Sequence, residues 1–330
     1  MARWGPGVHQ QGIGNHRQDD GAPVSVANHA ATSQIFTDAV TLAVVEPVHF
    51  DMAFTAVTQP CPWPKAYGGD LVAQAAVAAM RSVQDGKSLH SMHSSFMRPA
   101  EIGAQVRYEV EVLRDGRMYS TRHVRGFQDG KVIYVCYANF AAGEPGGDFG
   151  SKFPDGVPAP ETLPSSADYL AHRSGGTMTE VSKEYWAGGR GFDMRHVPGP
   201  VYLSVEGERV AQQAIWVRPF DDLRPVAGLT DEQRDLAAVA YVCDYTILEP
   251  VLRVLNLAWA MDGLVTASLD HAMWYHRPAA MGGWLLYAQE AASVGNGRGL
   301  GLGRFFGPNG SHLATVAQEG MIRFPSGGQA

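Results

Sequence analysis

The sequence predicts an α+β fold of two repeats, each a central helix wrapped by an antiparallel β-sheet. Three observations carry this prediction. One helix pattern is apolar on every side, as only a buried helix is. It is followed by consecutive strand patterns separated by turn signals. The same order of strands and turns then returns about 180 residues later.

In chain order, VEPVHFDMAFT reads as a strand, and YGGDLVAQAAVAAMRSV as the first helix. Gly68 and Gly69 precede its interior, and Asp70 sits where a negative charge favours a helix start. Small side chains such as Ala73, Ala75 and Ala76 let neighbours approach closely. Four strands follow. SLHSMHSSFMRP comes first. VRYEVEVLRDG alternates, with Val106, Tyr108, Val110 and Val112 on one face and Arg107, Glu109 and Glu111 on the other. The RDGR turn leads into YSTRHVRGF, and the QDGK turn into KVIYVCYANFAA, which reads as a strand buried on both faces.

The Gly/Pro-rich stretch AAGEPGGDFGSKFPDGVPAPETLP, starting at Ala141, leads into a crossover linker expected over residues 143–189. After it the pattern recurs. Phe192-Asp193-Met194 echoes Phe50-Asp51-Met52, and DEQRDLAAVAYVCDYTIL reads as a second helix with Leu236, Ala240 and Cys243 on one face. TASLDHAMWYHRP, GGWLLYAQEAAS, GRGLGLGRFFG and HLATVAQEGMIRF form the second strand set. Arg98-Pro99 and Arg277-Pro278 close the first strand of each set. The expected organisation is a disordered lead-in over 1–35, an N-terminal unit over 36–142, the linker, and a C-terminal unit over 190–325.

A net charge of −7 argues against a general nucleic-acid binder, whose affinity rests on a basic surface. The three cysteines, Cys61, Cys136 and Cys243, form no CxxC pair, so neither a disulfide framework nor a structural zinc site is supported. No run of about 18 apolar residues is present and the start has no signal-peptide core, so a cytoplasmic protein without a membrane span is expected.

The stretches YGGDLVAQA, LHSMHSSFMRP, RDGR, YVCDYTILEP, SLDHAMWYHRP, WLLYAQE, GRG and VAQEGMIR occur in order over roughly residues 45–142 and 190–324. In these the chain resembles the acyl-CoA thioesterase II family, a double hotdog fold. The resemblance implies hydrolysis of medium- to long-chain fatty acyl-CoA to free acid and coenzyme A, without cofactor or metal, by a homo-oligomer. It places the hydrolytic constellation on Asp244, Ser268 and Gln318 in the C-terminal unit. Ser268 stands where many members have Thr, keeping the hydroxyl. EPVLRVLNLAWAMDG lacks the Gly-containing apolar loop that borders the family's acyl pocket.

These residue types suit the chemistry. Water is a poor nucleophile and must be held and deprotonated as it attacks, which Asp244 can do as base. A mixed anhydride on Asp244 is the alternative. Ser268 and Gln318 each offer a donor and an acceptor to fix one water. The oxyanion needs donors, and a helix N-terminus supplies backbone N–H groups. Candidate substrate-binding positions are Gly68, Gly69, His90, His93 and Arg298, with Arg114, Arg117 and Arg122 as further turn cations for phosphate.

Other reactive-looking residues read differently. In DHAMWYH, strand alternation sets Asp270, Ala272, Trp274 and His276 on one face and His271, Met273 and Tyr275 on the other. Asp270 and His271 therefore point apart, which suits a pocket or interface wall satisfied by backbone better than a metal site or triad. His90 and His93 are likewise expected on opposite faces. Cys243 reads as packing, and Asp70 as a helix-start charge or a vestigial site of the first repeat. The rival functions are a hotdog enoyl-CoA hydratase or dehydratase, which requires a His–acid pair, and a non-catalytic acyl-CoA binding module.

Overall fold

A computed structural model describes residues 29–171, 173 and 178–324. The elements of the first repeat are α1 (His29–Val40), β1 (Ala43–Val45), β2 (Met52–Val57), α2 (Gly68–Arg81), β3 (Ser88–Phe96), β4 (Gln105–Asp115), β5 (Tyr119–Gln128) and β6 (Lys131–Ala141). The crossover carries α3 (Ser166–Ala171) and α4 (Glu180–Glu184), the latter running into a π-helical turn over Tyr185–Gly189. The second repeat has β7 (Phe192–Val197), β8 (Gln212–Pro219), α5 (Asp231–Val242), α6 (Glu249–Leu255), β9 (Val265–Ser268), β10 (Asp270–Tyr275), β11 (Leu285–Gly295), β12 (Arg298–Phe306) and β13 (His312–Arg323).

Among the described residues the strands form one antiparallel sheet, ordered β1-β2-β4-β5-β6-β3-β10-β13-β12-β11-β8-β7, with β9 paired to β13. Both halves keep one internal order, and they join where β3 meets β10, Met92 opposite Met273. The sheet curls around α2 and α5, which pack on each other. Every α2 residue from Gly69 to Met80 is buried. Its alanines permit this, since small side chains bring helix and sheet backbones close. Gly69 is the limiting case: a Cβ there would run into the Tyr241 carbonyl and the Tyr67 ring. The two helices share one apolar core that includes Val72, Val77, Leu236 and Val239.

Several expectations change. Of the lead-in, residues 1–28 lie outside the described residues, and from His29 the chain is helical. The crossover is more than a linker: Tyr169, Leu170 and Trp186 form a small core with Tyr202, and Trp186 also meets Trp63 of the first repeat edge-on at 5.7 Å. The Phe-Asp-Met echo is not topological, because Met52 lies on β2 whereas Met194 lies on the edge strand β7, and the counterpart of β2 is β8. Strand β6 alternates instead of burying both faces, with Tyr137 48% exposed. The second helix stops at Val242 and tightens into a 3-10 turn over Cys243–Tyr245. No helix among the described residues is long and apolar enough to cross a membrane.

Candidate active site

The end of α5 sets the position of Asp244. Thr230 and Gln233 form a capping box that fixes its start. At its end, Cys243 and Tyr245 turn into the core. Ile247 packs over β12 so closely that a Cβ on Gly301 would overlap its carbonyl oxygen. From Asp235 to Arg253 every residue is buried except Asp244. From Tyr67, the N-cap of α2, to Met80 every residue is buried except Gly68. The two exceptions face each other: a Cβ on Gly68 would lie 2.6 Å from Asp244 Oδ2. This window into the core is shared by both repeats.

Ser268 and Gln318 reach Asp244 from the sheet. Ser268 Oγ donates to Asp244 Oδ1 at 3.0 Å, and Gln318 Nε2 donates to the same oxygen at 2.6 Å and to Ser268 Oγ at 3.0 Å. Plain alternation along TASLDHAM would turn Ser268 outward with Asp270. The register slips by one residue at Leu269, between the pairs Ser268 with Gly320 and Ala272 with Ala317. This local bulge brings Ser268 to the inner side.

His271 completes the arrangement. Its Nδ1 lies 2.9 Å from Gln318 Oε1, and its Nε2 lies 3.8 Å from Cys243 Sγ. Gln318 spends its Nε2 hydrogens on Asp244 and Ser268, so its oxygen accepts and His271 Nδ1 carries the proton. The ring is 1% exposed, and burial pushes its pKa down, favouring the neutral form. Inward orientation was legible from alternation, but satisfaction by backbone was not the outcome. The register opposing Ala272 and Ala317 sets His271 across from Gln318, and only that pairing identifies its role. Asp270 does accept a backbone N–H, from Glu319.

The remaining candidates divide. Helix α2 has no side-chain N-cap, so the first-turn amides at Gly68 and Gly69 are not capped by a side chain, and Gly68 abuts Asp244. The residues His90, His93 and Arg298 do not join the trio. A bulge at His90 breaks the alternation of β3; it meets Tyr119 edge-on, and His93 meets Trp274. That bulge removes the strict alternation on which the opposite-face expectation for His90 and His93 rests. Arg298 pairs with Glu319, and Arg122 is buried against Ser82 and paired with Asp115.

Asp70 sits in the first turn of α2 as expected, but it is not an equivalent of Asp244. It is fully buried, accepts one bond from Gln59 N at 2.7 Å, and burial pushes its pKa up to about 8, so it holds its proton at neutral pH. Asp244 follows the C-terminus of α5, whereas the C-terminus of α2 carries Ser82. The Cys243 thiol is buried, donates to the Ala240 carbonyl and is pushed up well above the ordinary thiol range, which suits packing and not nucleophilic attack.

Two family models match the chain: the acyl-CoA thioesterase N-terminal domain over residues 59–141 and the acyl-CoA thioesterase C-terminal domain over residues 160–322. The chain is 30% identical over 295 residues to acyl-CoA thioesterase 2 of Haemophilus influenzae, covering 88% of this chain and 99% of that protein. It is 32% identical over 289 residues to human acyl-coenzyme A thioesterase 8, covering 86% and 88%. The crystal structure of acyl-CoA thioesterase II TesB2 from Mycobacterium marinum matches with a TM-score of 0.69 at 29% identity, covering 89% and 100%. A hotdog-fold protein from Alicyclobacillus acidocaldarius, at 19% identity and a TM-score of 0.68, shows the same fold.

Proposed function

Because the chain belongs to the acyl-CoA thioesterase II family and is a thioester hydrolase acting on acyl-CoA, we propose that it cleaves medium- to long-chain fatty acyl-CoA with a water activated by Asp244, Ser268 and Gln318. One observation carries the assignment of these residues. Two donors converge on Asp244 Oδ1, which leaves Oδ2, at Gly68, to accept from a water.

The reaction then runs as general-base hydrolysis. Asp244 takes a proton as the water oxygen bonds to the thioester carbon. The carbonyl oxygen becomes an oxyanion, for which the amides at the start of α2, not capped by a side chain, are the candidate donors. Collapse breaks the C–S bond, and the departing thiolate takes the proton from Asp244. Fatty acid and coenzyme A leave, and Asp244 returns to the carboxylate. Ser268 and Gln318 hold Asp244, while His271 fixes the amide orientation of Gln318. Phe96, whose ring borders Gly68, and the stacked Tyr67–Tyr245 pair give the window apolar flanks suited to a hydrocarbon chain.

A hydratase reading is not favoured: the buried histidine beside the Asp244 trio, His271, bonds an amide and not an acid. The test is thiol release from acyl-CoA substrates of increasing chain length, with products identified by mass. Free acid and coenzyme A, with the highest kcat/KM on medium to long chains, are expected. Hydroxyacyl-CoA, or binding without turnover, contradicts the reading. After one turnover in 18O-water the base route labels the fatty acid alone, whereas label in Asp244 would reveal an anhydride hydrolysed at its aspartyl carbon.

A further inference from the structure

Lys65 stands beside the window and has no part in the trio. Its Nζ donates to the Thr266 carbonyl at 2.7 Å, joining the segment that leads into α2 to strand β9, two residues before Ser268. Three residues after Lys65 comes Gly68, whose Cα faces Asp244 Oδ2. The lysine is partly buried, with no second protein acceptor among the described residues, so two N–H groups remain for other partners.

The surroundings make this ammonium distinctive. Lys65, Tyr67, Asp70, Cys243, His271 and Tyr287 all respond to the charge of Asp244. Burial pushes the two tyrosines and the thiol up, keeps Asp70 protonated and keeps His271 neutral. Of the six, Lys65 alone is an amine; partial burial lowers its pKa and the charge of Asp244 opposes that shift. Lys65 lies three residues before the first turn of α2, whose amides the hydrolytic reading assigns to the oxyanion, and its Nζ is anchored at Thr266. During attack the negative charge moves from Asp244 toward those amides, and a fixed cation there stabilises the transition state more than the ground state.

We propose that Lys65 is a positioning residue of the hydrolytic site: anchored on Thr266, its ammonium balances the negative charge that moves from Asp244 to the thioester oxygen. The proposal rests on the hydrolytic reading above and adds a residue to it. Lys65→Met and Lys65→Gln are expected to lower kcat about tenfold with KM nearly unchanged, and Lys65→Arg to keep most of it. Gln separates charge from anchoring, since its amide can still donate to Thr266 while neutral.

The pH profile supplies a readout that a structural role would not move. The ammonium is present below its pKa and lost as pH rises through it, so wild-type kcat falls on the alkaline side earlier than for an ordinary lysine. Lys65→Arg moves that fall to higher pH. A fall caused by Asp70, at about 8, would stay in place in the Arg variant. Full kcat in Lys65→Gln would reduce Lys65 to an anchor and overturn the proposal. A rise in KM alone would also overturn it, making Lys65 a ground-state contact for coenzyme A. Asp244→Asn assayed in parallel keeps the two readings apart, because its full activity would remove the hydrolytic reading whatever Lys65 does.

Discussion

Gly68 and Asp244 belong to different repeats, yet no side chain fits between them: a Cβ on Gly68 would stand 2.6 Å from Asp244 Oδ2 and 3.2 Å from Phe96. Gly68→Ala is therefore expected to displace the carboxylate or fill the place of its water. Because Gly68 is partly exposed at the helix start, the fold should survive. The expected result is a loss of kcat of at least about tenfold with little change in the thermal midpoint. Steady-state kinetics beside a melting curve checks both parts.

His271 is expected to matter through Gln318. His271→Ala leaves the Gln318 oxygen buried without its donor and frees the amide to turn, lowering kcat about tenfold. A pH dependence of stability follows as well. Burial lowers the folded-state pKa of His271 below its unfolded value, so between the two the unfolded chain binds more protons. Its contribution is complete above about 6.5 and is lost as pH falls below that. Urea midpoints should drop less between pH 7.5 and 5.5 in His271→Gln than in wild type.

Asp70 has the opposite sign. Its folded-state pKa is raised to about 8 from an ordinary 3.8, so the folded protein keeps a proton that the unfolded chain has released across that window. Stability therefore falls as pH rises through it. Asp70→Asn, which can still accept from Gln59 N, should stabilise the protein. The gain should be larger at pH 8 than at pH 5, by roughly 4 kcal/mol at most, as measured by chemical denaturation.

Much of this fold was legible because its elements obey simple periodicities. The all-apolar α2 could only be buried, and the alternation of β4 and β10 put Tyr108, His271 and Met273 inward as observed. What escaped depends on pairing across distance. Strand β8 was missed, and so was the end of the second helix at Val242, which tertiary packing of Cys243 and Tyr245 decides. The inward turn of Ser268 depends on a one-residue slip at Leu269, and strict alternation would have placed it outside. The trio was proposed through family resemblance, and the structure brings its three side chains into mutual contact. His271, within the same motif, was read as a wall because its partner Gln318 lies on another strand.

Cys243 neighbours Asp244 and His271, which makes it the natural rival nucleophile. Its buried, protonated thiol argues otherwise. Cys243→Ala is expected to retain turnover within a few-fold and to lose some stability through the small cavity it leaves, roughly 1 kcal/mol. Iodoacetamide should not inactivate the folded wild-type enzyme at neutral pH by alkylating this residue. Peptide mass mapping reads that directly.

The most direct test of the central claim is coenzyme A release by wild type and Asp244→Asn on one medium- or long-chain acyl-CoA, with substrate binding measured for both. Asparagine keeps the size and one acceptor but not the base. The account predicts retained binding, with kcat reduced on the order of 10³-fold. Wild-type turnover in Asp244→Asn would contradict it.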